Sequence, residues 1–270
     1  MKPYWEDSRS GITIYHGDCR EILPTLGAVD HVITDPPYEA EAHTKGRRGN
    51  TARDGDAAFS ATRELDFEGI TEELRDFSGA EMARIANGWV LVFCQVEAAM
   101  LWRDALAPAR YMRTQIWRKP NAPCQFTGDR PGMGYESIVT AWAGTGRSSW
   151  NGGGAHGVHE HNIARHRSGH MTEKPLPLMA DLVRLFSNEC ETILDPFMGS
   201  GTTLVAAYQL GRKAIGVELE ERWAEVAVKR LESQTPPLFT LPAEKPVQGE
   251  WEGWSDTSWM IKGGYVEDTE

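Results

Sequence analysis

The sequence predicts an α/β fold with a mostly parallel, seven-stranded sheet and helices on both of its faces. Short apolar strands alternate with amphipathic helices from residue 12 to residue 233, which is typical of sheets whose strands are joined by crossover helices. Several strands, such as residues 88–94, are apolar throughout, as expected of strands covered on both sides. The chain has 270 residues, 40% of them hydrophobic, which is enough for one large domain.

The predicted elements follow one another in an almost regular strand–helix order. The seven strands are expected at 12–18, 29–35, 88–94, 113–119, 136–142, 191–195 and 213–219. The helices are expected at 19–26, 71–87, 97–106, 175–188, 202–210 and 220–233. Leu178, Leu182 and Phe186 share one face of the fourth helix, which indicates the side that packs on the sheet.

Two stretches depart from this order. Residues 143–170 contain seven glycines and five histidines with little apolar material, which predicts a long functional loop within the domain. From residue 234 the chain becomes Pro-rich and acidic and carries several tryptophans. We therefore expect one domain over residues 1–233, followed by a tail over 234–270 that covers the domain or is partly disordered.

The charge pattern is compatible with nucleic acid despite a net charge of −11. Residues 43–53 carry four Lys or Arg and no acid, and residues 103–174 carry ten Lys or Arg against five Asp or Glu. The four cysteines lack CxxC spacing, and the sequence shows neither a signal peptide nor an apolar run long enough to cross a membrane. These features predict a cytoplasmic protein with reduced thiols.

The stretch "VITDPPY" (residues 32–38) places a carboxylate and an aromatic ring in a rigid corner at the end of a predicted strand. Proline cannot donate to a strand ladder, and it restricts the residue before it to extended geometry. Asp35, Pro36, Pro37 and Tyr38 should therefore project from the carboxyl end of the sheet. Ligands of such sheets bind at that end.

A second corner, "ILDPFMGSGTTLVAA" (residues 193–207), reads as a strand, a glycine turn and a helix. A dinucleotide fingerprint would need a third glycine where Leu204 stands, and a P-loop would need a lysine after Gly201. The next predicted strand ends near Glu218, an acid suited to the hydroxyls of a ribose. A ligand with a ribose and no phosphate fits this pattern, and S-adenosylmethionine is such a ligand.

Four blocks of this sequence resemble those of the β class of amino-group DNA methyltransferases, which modify adenine N6 or cytosine N4. They are "GDC" (17–19), "TDPPY" (34–38), "TEKPLPL" (172–178) and "DPFMGSGTT" (195–203), and the likeness covers about residues 10–232. The resemblance implies a single Rossmann-like methyltransferase domain with a circularly permuted motif order. The family usually has His-Pro before the third block, where this chain has His170-Met171.

The resemblance also implies roles for individual residues. Asp35 and the carbonyl of Pro36, held by Pro37, would accept hydrogen bonds from the target amine, and Tyr38 would stack on a flipped-out base. Glu218 would hold the ribose of S-adenosylmethionine, Asp18 its adenine end and Lys174 its methionine part. The full set expected at the cofactor is Asp18, Cys19, Asp35, Lys174, Asp195, Pro196, Phe197, Gly199, Ser200, Gly201, Thr202, Glu218 and Leu219.

Double-stranded DNA is the expected partner, with two sets of contacts. Phosphate contacts are expected from Lys45, Arg47, Arg48 and Arg53. The segment 143–170 corresponds to the family's target-recognition region, and its expected readers are Arg147, Asn151, Asn162, Arg165 and Arg167. Zinc normally takes four ligands, often including cysteine, so we expect no metal site at the histidines of this segment.

Several alternatives stay open from the sequence. Asp rather than Ser before Pro-Pro-Tyr favours adenine N6, but cytosine N4 would use the same acceptors. RNA or protein methyltransferases usually place the glycine block first, and a non-catalytic relic would not need to keep Asp35 and Tyr38. The family resemblance is compatible with a homodimer, with a cognate restriction nuclease, and with a bacterial or phage origin.

Overall fold

A single sheet forms the centre of the computed structural model, which describes residues 2–38, 69–124, 128–129, 131–163 and 173–234. Within those residues the sheet has nine strands in the order β1-β2-β9-β8-β3-β4-β6-β5-β7. The strands are Trp5–Asp7 (β1), Ile12–His16 (β2), His31–Thr34 (β3), Trp89–Cys94 (β4), Arg110–Arg118 (β5), Tyr135–Trp142 (β6), Val158–Glu160 (β7), Thr192–Asp195 (β8) and Lys213–Glu218 (β9).

The central five strands, β2, β9, β8, β3 and β4, are all parallel. β6 runs antiparallel to both β4 and β5, and β1 runs antiparallel to β2. The mostly parallel sheet is therefore confirmed, but the expected number of seven strands is wrong. The two additional strands, β1 and β7, have three residues each, which is too short for a periodic pattern to reveal them.

The segment 143–170 was expected to be irregular throughout, and β7 corrects this expectation. Val158–Glu160 pairs in parallel with Ile116–Arg118 and forms the last strand of the sheet. A neighbouring strand supplies the hydrogen bonds that make this stretch extended, and that neighbour is distant in sequence.

Helices cover both faces of the sheet, as the sequence predicts. They are Cys19–Ile22 (α1), Glu72–Ile85 (α2), Ala99–Ala105 (α3), Leu176–Phe186 (α4), Thr202–Gln209 (α5) and Glu221–Glu232 (α6). α4, α5 and α6 pack on one face, against side chains such as Ile33 and Leu91. α1, α2 and α3 pack on the other, against neighbours such as Val32 and Val90. No helix among the described residues is long and apolar enough to cross a membrane.

The connections between strands run in opposite directions across the sheet on the two sides of the β8–β3 pair. From β8 the chain continues to β9 on one side, and from β3 it continues to β4 on the other. Crevices at the carboxyl ends of strands flanking such a reversal are where open α/β sheets bind ligands. Asp195 ends β8 and Asp35 follows β3, so both predicted corners lie at this point.

Candidate active site

Asp35 presents one carboxylate oxygen that is already bound and one that is not. Its Oδ2 accepts a hydrogen bond from Lys174 Nζ at 2.5 Å. Its Oδ1 is buried, and no described residue donates a hydrogen bond to it. Burying an acceptor without a donor costs free energy, so such exceptions indicate a functional role. Asp35 Oδ1 is thus available to an N–H group of a ligand.

Lys174 lies in a buried box of aromatic and charged side chains. Its Nζ is 3.2 Å from Glu136 Oε2 and 3.3 Å from Tyr38 Oη, and only 8% of the side chain is exposed. The same ammonium stands 5.0 Å from the ring centroid of Phe93 and 5.8 Å from that of Trp117, within the range of cation–π attraction. A single lysine therefore links Asp35 to Glu136.

Glu136 completes the box with a second lysine. It forms an ion pair with Lys119, and Lys174 joins it to the phenol of Tyr38. The box contains two carboxylates and two ammonium groups, so its charges balance. Glu136 and Lys119 lie outside the sequence motifs that predict the site.

The ionisation of the box follows from burial and charge. Burial, assisted by the charge of Glu136 and opposed by that of Lys174, raises the pKa of Asp35 to about 6. Burial alone would also raise the pKa of Glu136, but Lys174 and Lys119 together lower it. Burial would lower the pKa of Lys174, but the two carboxylates raise it. Asp35 is therefore the member that titrates closest to neutral pH.

Asp195 shapes the glycine turn from within. Its Oδ1 accepts from Thr34 Oγ1 at 2.6 Å and from the Phe197 amide at 3.1 Å, and its Oδ2 accepts from Thr203 Oγ1 at 2.6 Å. The side chain is buried and its hydrogen bonds are internal. It ties β8 to β3 and to the first turn of α5, which brings the two corners together.

The glycines of this turn adopt backbone conformations that other residues rarely take. Gly199 has φ 52° and Gly201 has φ 79°. A Cβ on Gly201 would lie 2.7 Å from the Cβ of Ala227 on α6, so a side chain there would also clash. The turn needs glycine at Gly201 for both reasons, and it leaves the start of α5 close to α6.

Glu218 and Leu219 lie beside the glycine turn, at the end of β9. Glu218 Oε2 accepts from the Gly199 amide at 2.9 Å, and Oε1 accepts from the Glu220 amide at 2.8 Å. Each oxygen keeps a lone pair that could accept from a hydroxyl group. Leu219 is 66% exposed and offers an apolar surface at the same place. This pair fits a ribose and an adjoining flat ring.

Asp18 and Cys19 follow β2 at the same end of the sheet. Asp18 caps α1 by accepting from the Arg20 amide, and the hydrogen bond from the Arg20 side chain lowers the pKa of Asp18. Cys19 is buried in the core, where burial raises the pKa of its thiol to about 12. The Cys19 side chain therefore packs as a neutral apolar group.

Arg230 is a further residue of the site that the sequence analysis missed. From α6 its Nη1 donates to Ser200 O and Ser200 Oγ at 2.8 Å each and to Thr202 Oγ1 at 3.1 Å. Its Nη2 lies 2.8 Å from Glu173 Oε1. The arginine thereby joins the glycine turn to the residue preceding Lys174. The sequence offered one indication: Arg230 lies three residues after Ala227 on an amphipathic helix, which places it near the buried face of that helix.

The structure does not bring Arg147 or Asn151 together with Asp35. β6 is antiparallel to β4 and places Trp142 opposite Trp89, so the chain leaves β6 at the amino end of the central strands. Asn151 Nδ2 donates to the carbonyls of Arg184 and Ser187 at that end, each at 3.0 Å.

β7 carries the chain back to the carboxyl end, where Asn162 follows Glu160. The remaining expected DNA contacts, namely Lys45, Arg47, Arg48, Arg53, Arg165 and Arg167, lie outside the described residues, as does the tail from residue 235.

Two histidines of the segment 143–170 have hydrogen-bond partners within the fold. His159 is buried with Nε2 3.0 Å from Gln115 Oε1, and burial lowers the pKa of His159. His161 Nε2 lies 2.9 Å from Asp181 Oδ2. Across the part of the chain that the structure describes, no three His, Cys, Asp or Glu side chains gather as a metal site would require.

Comparison with known families and curated proteins gives consistent matches. A family model described as a DNA methylase matches residues 114–229. The type II methyltransferase M2.LlaDCHI of Lactococcus lactis subsp. cremoris is 45% identical, over 85% of this chain and 92% of that protein. The type II methyltransferase M.HinfI of Haemophilus influenzae is 26% identical, over 83% and 69% respectively.

Solved structures of DNA methyltransferases share the fold. The M1.HpyAVI complex with S-adenosylmethionine superposes with a TM-score of 0.62 at 26% identity, covering 82% of this chain and 98% of that one. The cytosine-N4-specific PvuII DNA methyltransferase gives a TM-score of 0.65 at 15% identity, covering 85% and 88%. The second likeness is one of fold alone.

Proposed function

Because this chain belongs to the N6/N4 amino-methyltransferase family of DNA methylases, which use S-adenosylmethionine, we propose that it methylates adenine N6 in double-stranded DNA. The observation that carries the proposal is the buried Oδ1 of Asp35, which accepts no hydrogen bond from the described residues. The target base is flipped out of the duplex to reach this site, because the amine is inaccessible within the stack.

Asp35 makes a poor nucleophile reactive by orienting it. The lone pair of an exocyclic amine is delocalised into the base ring. Asp35 Oδ1 and the main-chain carbonyl of Pro36 each accept one N–H, which directs the lone pair toward the incoming methyl group. The same acceptors stabilise the positive charge that develops on the nitrogen. Asp35 Oδ1 is then placed to take the proton that the methylated nitrogen must lose.

The residues around the glycine turn fit the cofactor. Glu218 holds the ribose hydroxyls, Leu219 and Asp18 lie toward the adenine end, and the turn at Gly199 and Gly201 allows close approach of the main chain. When bound, S-adenosylmethionine supplies a methyl group activated by the positive sulfur. Some of the expected cofactor residues have side chains engaged within the protein: the Asp195 carboxylate shapes the turn, Cys19 packs in the core, and Lys174 binds Asp35 and Glu136.

Tyr38 receives the flipped base. Its hydroxyl accepts a hydrogen bond from Lys174 at 3.3 Å, which holds the orientation of the ring before a base arrives. Stacking of a base on an aromatic ring contributes about 1–3 kcal/mol. That is comparable to the few kcal/mol that unstacking the base costs.

The choice of adenine is supported by the sequence of the corner. Asp35, rather than serine, precedes the Pro-Pro-Tyr run. Cytosine N4 would present the same two N–H groups, so it is the alternative that the experiment must distinguish.

The test is methyl transfer from labelled S-adenosylmethionine to unmethylated duplex DNA, followed by mass spectrometry of the nucleosides. We expect N6-methyladenine, and no product with Asp35→Ala. N4-methylcytosine would overturn the choice of base and keep the mechanism. No labelled DNA from a protein that binds the cofactor would overturn the proposal as a whole.

A further inference from the structure

Glu136 is a buried carboxylate beside Asp35 that the proposed chemistry does not use. We infer that Glu136 is a positioning residue for methyl transfer, acting through the Lys174 ammonium to hold Asp35 with Oδ1 facing the target amine. This inference rests on the proposed function and adds a residue to its machinery.

The fold places Glu136 where it can act on Asp35. Glu136 is the second residue of β6 and pairs with Trp117 of β5, at the carboxyl end of the sheet. Its side chain is 14% exposed, so its charge is largely shielded from water. A charge in such a place has stronger effects on its neighbours than one at the surface.

Lys174 contacts both Glu136 and Asp35, so Glu136 helps to fix the position of the ammonium that binds Asp35. The ammonium has Glu136 Oε2 at 3.2 Å on one side and Asp35 Oδ2 at 2.5 Å on the other. Because Lys174 occupies Oδ2, Oδ1 is the oxygen left for the amine. Without the charge of Glu136, the lysine would lose one of the two groups that fix its place.

Glu136 also balances charge where the reaction generates a cation. Glu136 pairs with Lys119, whose Nζ stands 4.6 Å from the ring centroid of Trp117. If Glu136 were neutral, Lys119 would lose the carboxylate it pairs with and Lys174 would lose one of its two carboxylates. That surplus positive charge would oppose the charge that develops on the target nitrogen.

The pH dependence supplies a signature that a purely structural role would not produce. Asp35 is faced by Lys174 from the segment before α4, by Glu136 from β6, by Asp195 from β8 and by Tyr38 from its own loop. Asp35 must be ionised to stabilise the positive charge that develops on the nitrogen, so the rate falls as pH drops through its pKa of about 6. Glu136 raises that pKa, so neutralising Glu136 moves the acid limb of the profile to lower pH.

The experiment compares Glu136→Gln with the wild-type protein in single-turnover methylation across pH 5–9. At the plateau we expect the rate to fall about 10- to 100-fold, as for a catalytic group that is slightly misplaced. The acid limb should move to lower pH, while the Kd for S-adenosylmethionine stays within about twofold of wild type. Glu136→Asp, which keeps the charge, should recover part of the rate.

Glu160→Gln is the matched control. Glu160 lies at the same end of the sheet and pairs with Arg118, but its side chain is 56% exposed and it does not contact the box. We expect the control to keep the wild-type rate and profile. If Glu136→Gln does not fold, the double variant Lys119→Met/Glu136→Gln, which restores the charge balance, takes its place with a smaller limb shift in the same direction.

The outcomes separate the inference from the function on which it rests. A wild-type protein that methylates DNA, with a Glu136→Gln variant of equal rate and unshifted limb, overturns the role of Glu136 alone. A slower variant with an unshifted limb overturns it too, because loss of packing would explain that result. A wild-type protein that methylates no DNA overturns both.

Discussion

The two ends of the central strands carry similar polar residues but use them differently. At the amino end, His31 Nδ1 accepts from the Trp89 amide at 3.0 Å, and its Nε2 donates to Glu191 Oε2 at 2.9 Å. Asp30 Oδ2 accepts from the Thr192 amide at 2.8 Å. These groups satisfy main-chain amides at the start of β4 and β8.

At the carboxyl end, the buried Asp35 has a hydrogen-bond donor for only one of its two carboxylate oxygens among the described residues. Asp35 has one oxygen on Lys174 and one oxygen with no described donor. Burial raises its pKa to about 6, which makes it costly to keep ionised. The buried oxygen without a described donor distinguishes Asp35 from Asp30 and Glu191 at the amino end, and a buried acid with a perturbed pKa indicates where binding and chemistry occur.

The largest expected effect is that of Asp35→Asn. The amide keeps one acceptor but loses the charge that stabilises the developing cation, so we expect the methylation rate to fall about 10²- to 10³-fold. Single-turnover methylation measures the rate, and a titration with S-adenosylmethionine checks that the cofactor still binds. A rate within tenfold of wild type would show that the charge of Asp35 is not needed.

Arg230→Met should have a smaller effect, confined to the cofactor. The variant removes the hydrogen bonds to Ser200 and Thr202 and the ion pair with Glu173, which loosens the glycine turn. We expect S-adenosylmethionine to bind about 10- to 100-fold more weakly, because hydrogen bonds from charged groups contribute about 1.5–3 kcal/mol. Calorimetric titration measures the Kd. Arg222→Met is the control. Arg222 lies on the same helix but forms its ion pair with Glu220 instead of contacting the glycine turn, so the Kd should match wild type.

Glu191→Gln at the amino end should affect stability rather than catalysis. Glu191 Oε2 accepts from His31 and from the Asn188 amide, so the variant weakens a local network far from Asp35. We expect a loss of about 1 kcal/mol in the free energy of unfolding. Urea denaturation measures this loss, and the methylation rate should be unchanged. A slowed rate at full cofactor occupancy would contradict the division between the two ends.

The smallest expected effect is that of Arg147→Gln. Arg147 is exposed in the segment that leaves β6 at the amino end, away from the base site. DNA affinity and its salt dependence should match wild type in a fluorescence anisotropy titration. Neutralising Lys45, Arg47, Arg48 and Arg53 together should instead weaken binding and flatten the salt dependence. A weaker complex with Arg147→Gln would show that DNA also contacts the amino end.

The residues that could be predicted from the sequence are those whose role depends on local context. Asp35 follows β3 and Glu218 ends β9, both recognisable strands, and a parallel sheet brings the ends of such strands together. Arg147 was expected near the DNA because its segment matched a family region. The sequence could not reveal that β6 is antiparallel and delivers Arg147 to the amino end.

The sequence by itself determined the class of the fold, the order of its elements and the two corners at the switch point, because periodicity, proline and glycine act over a few neighbouring residues. Only the tertiary structure decided that Glu136, Lys174 and Asp35 form one ionic group and that Arg230 fastens the glycine turn. Charges interact through space across a buried, weakly screening interior, and no local pattern records which distant side chains will meet there.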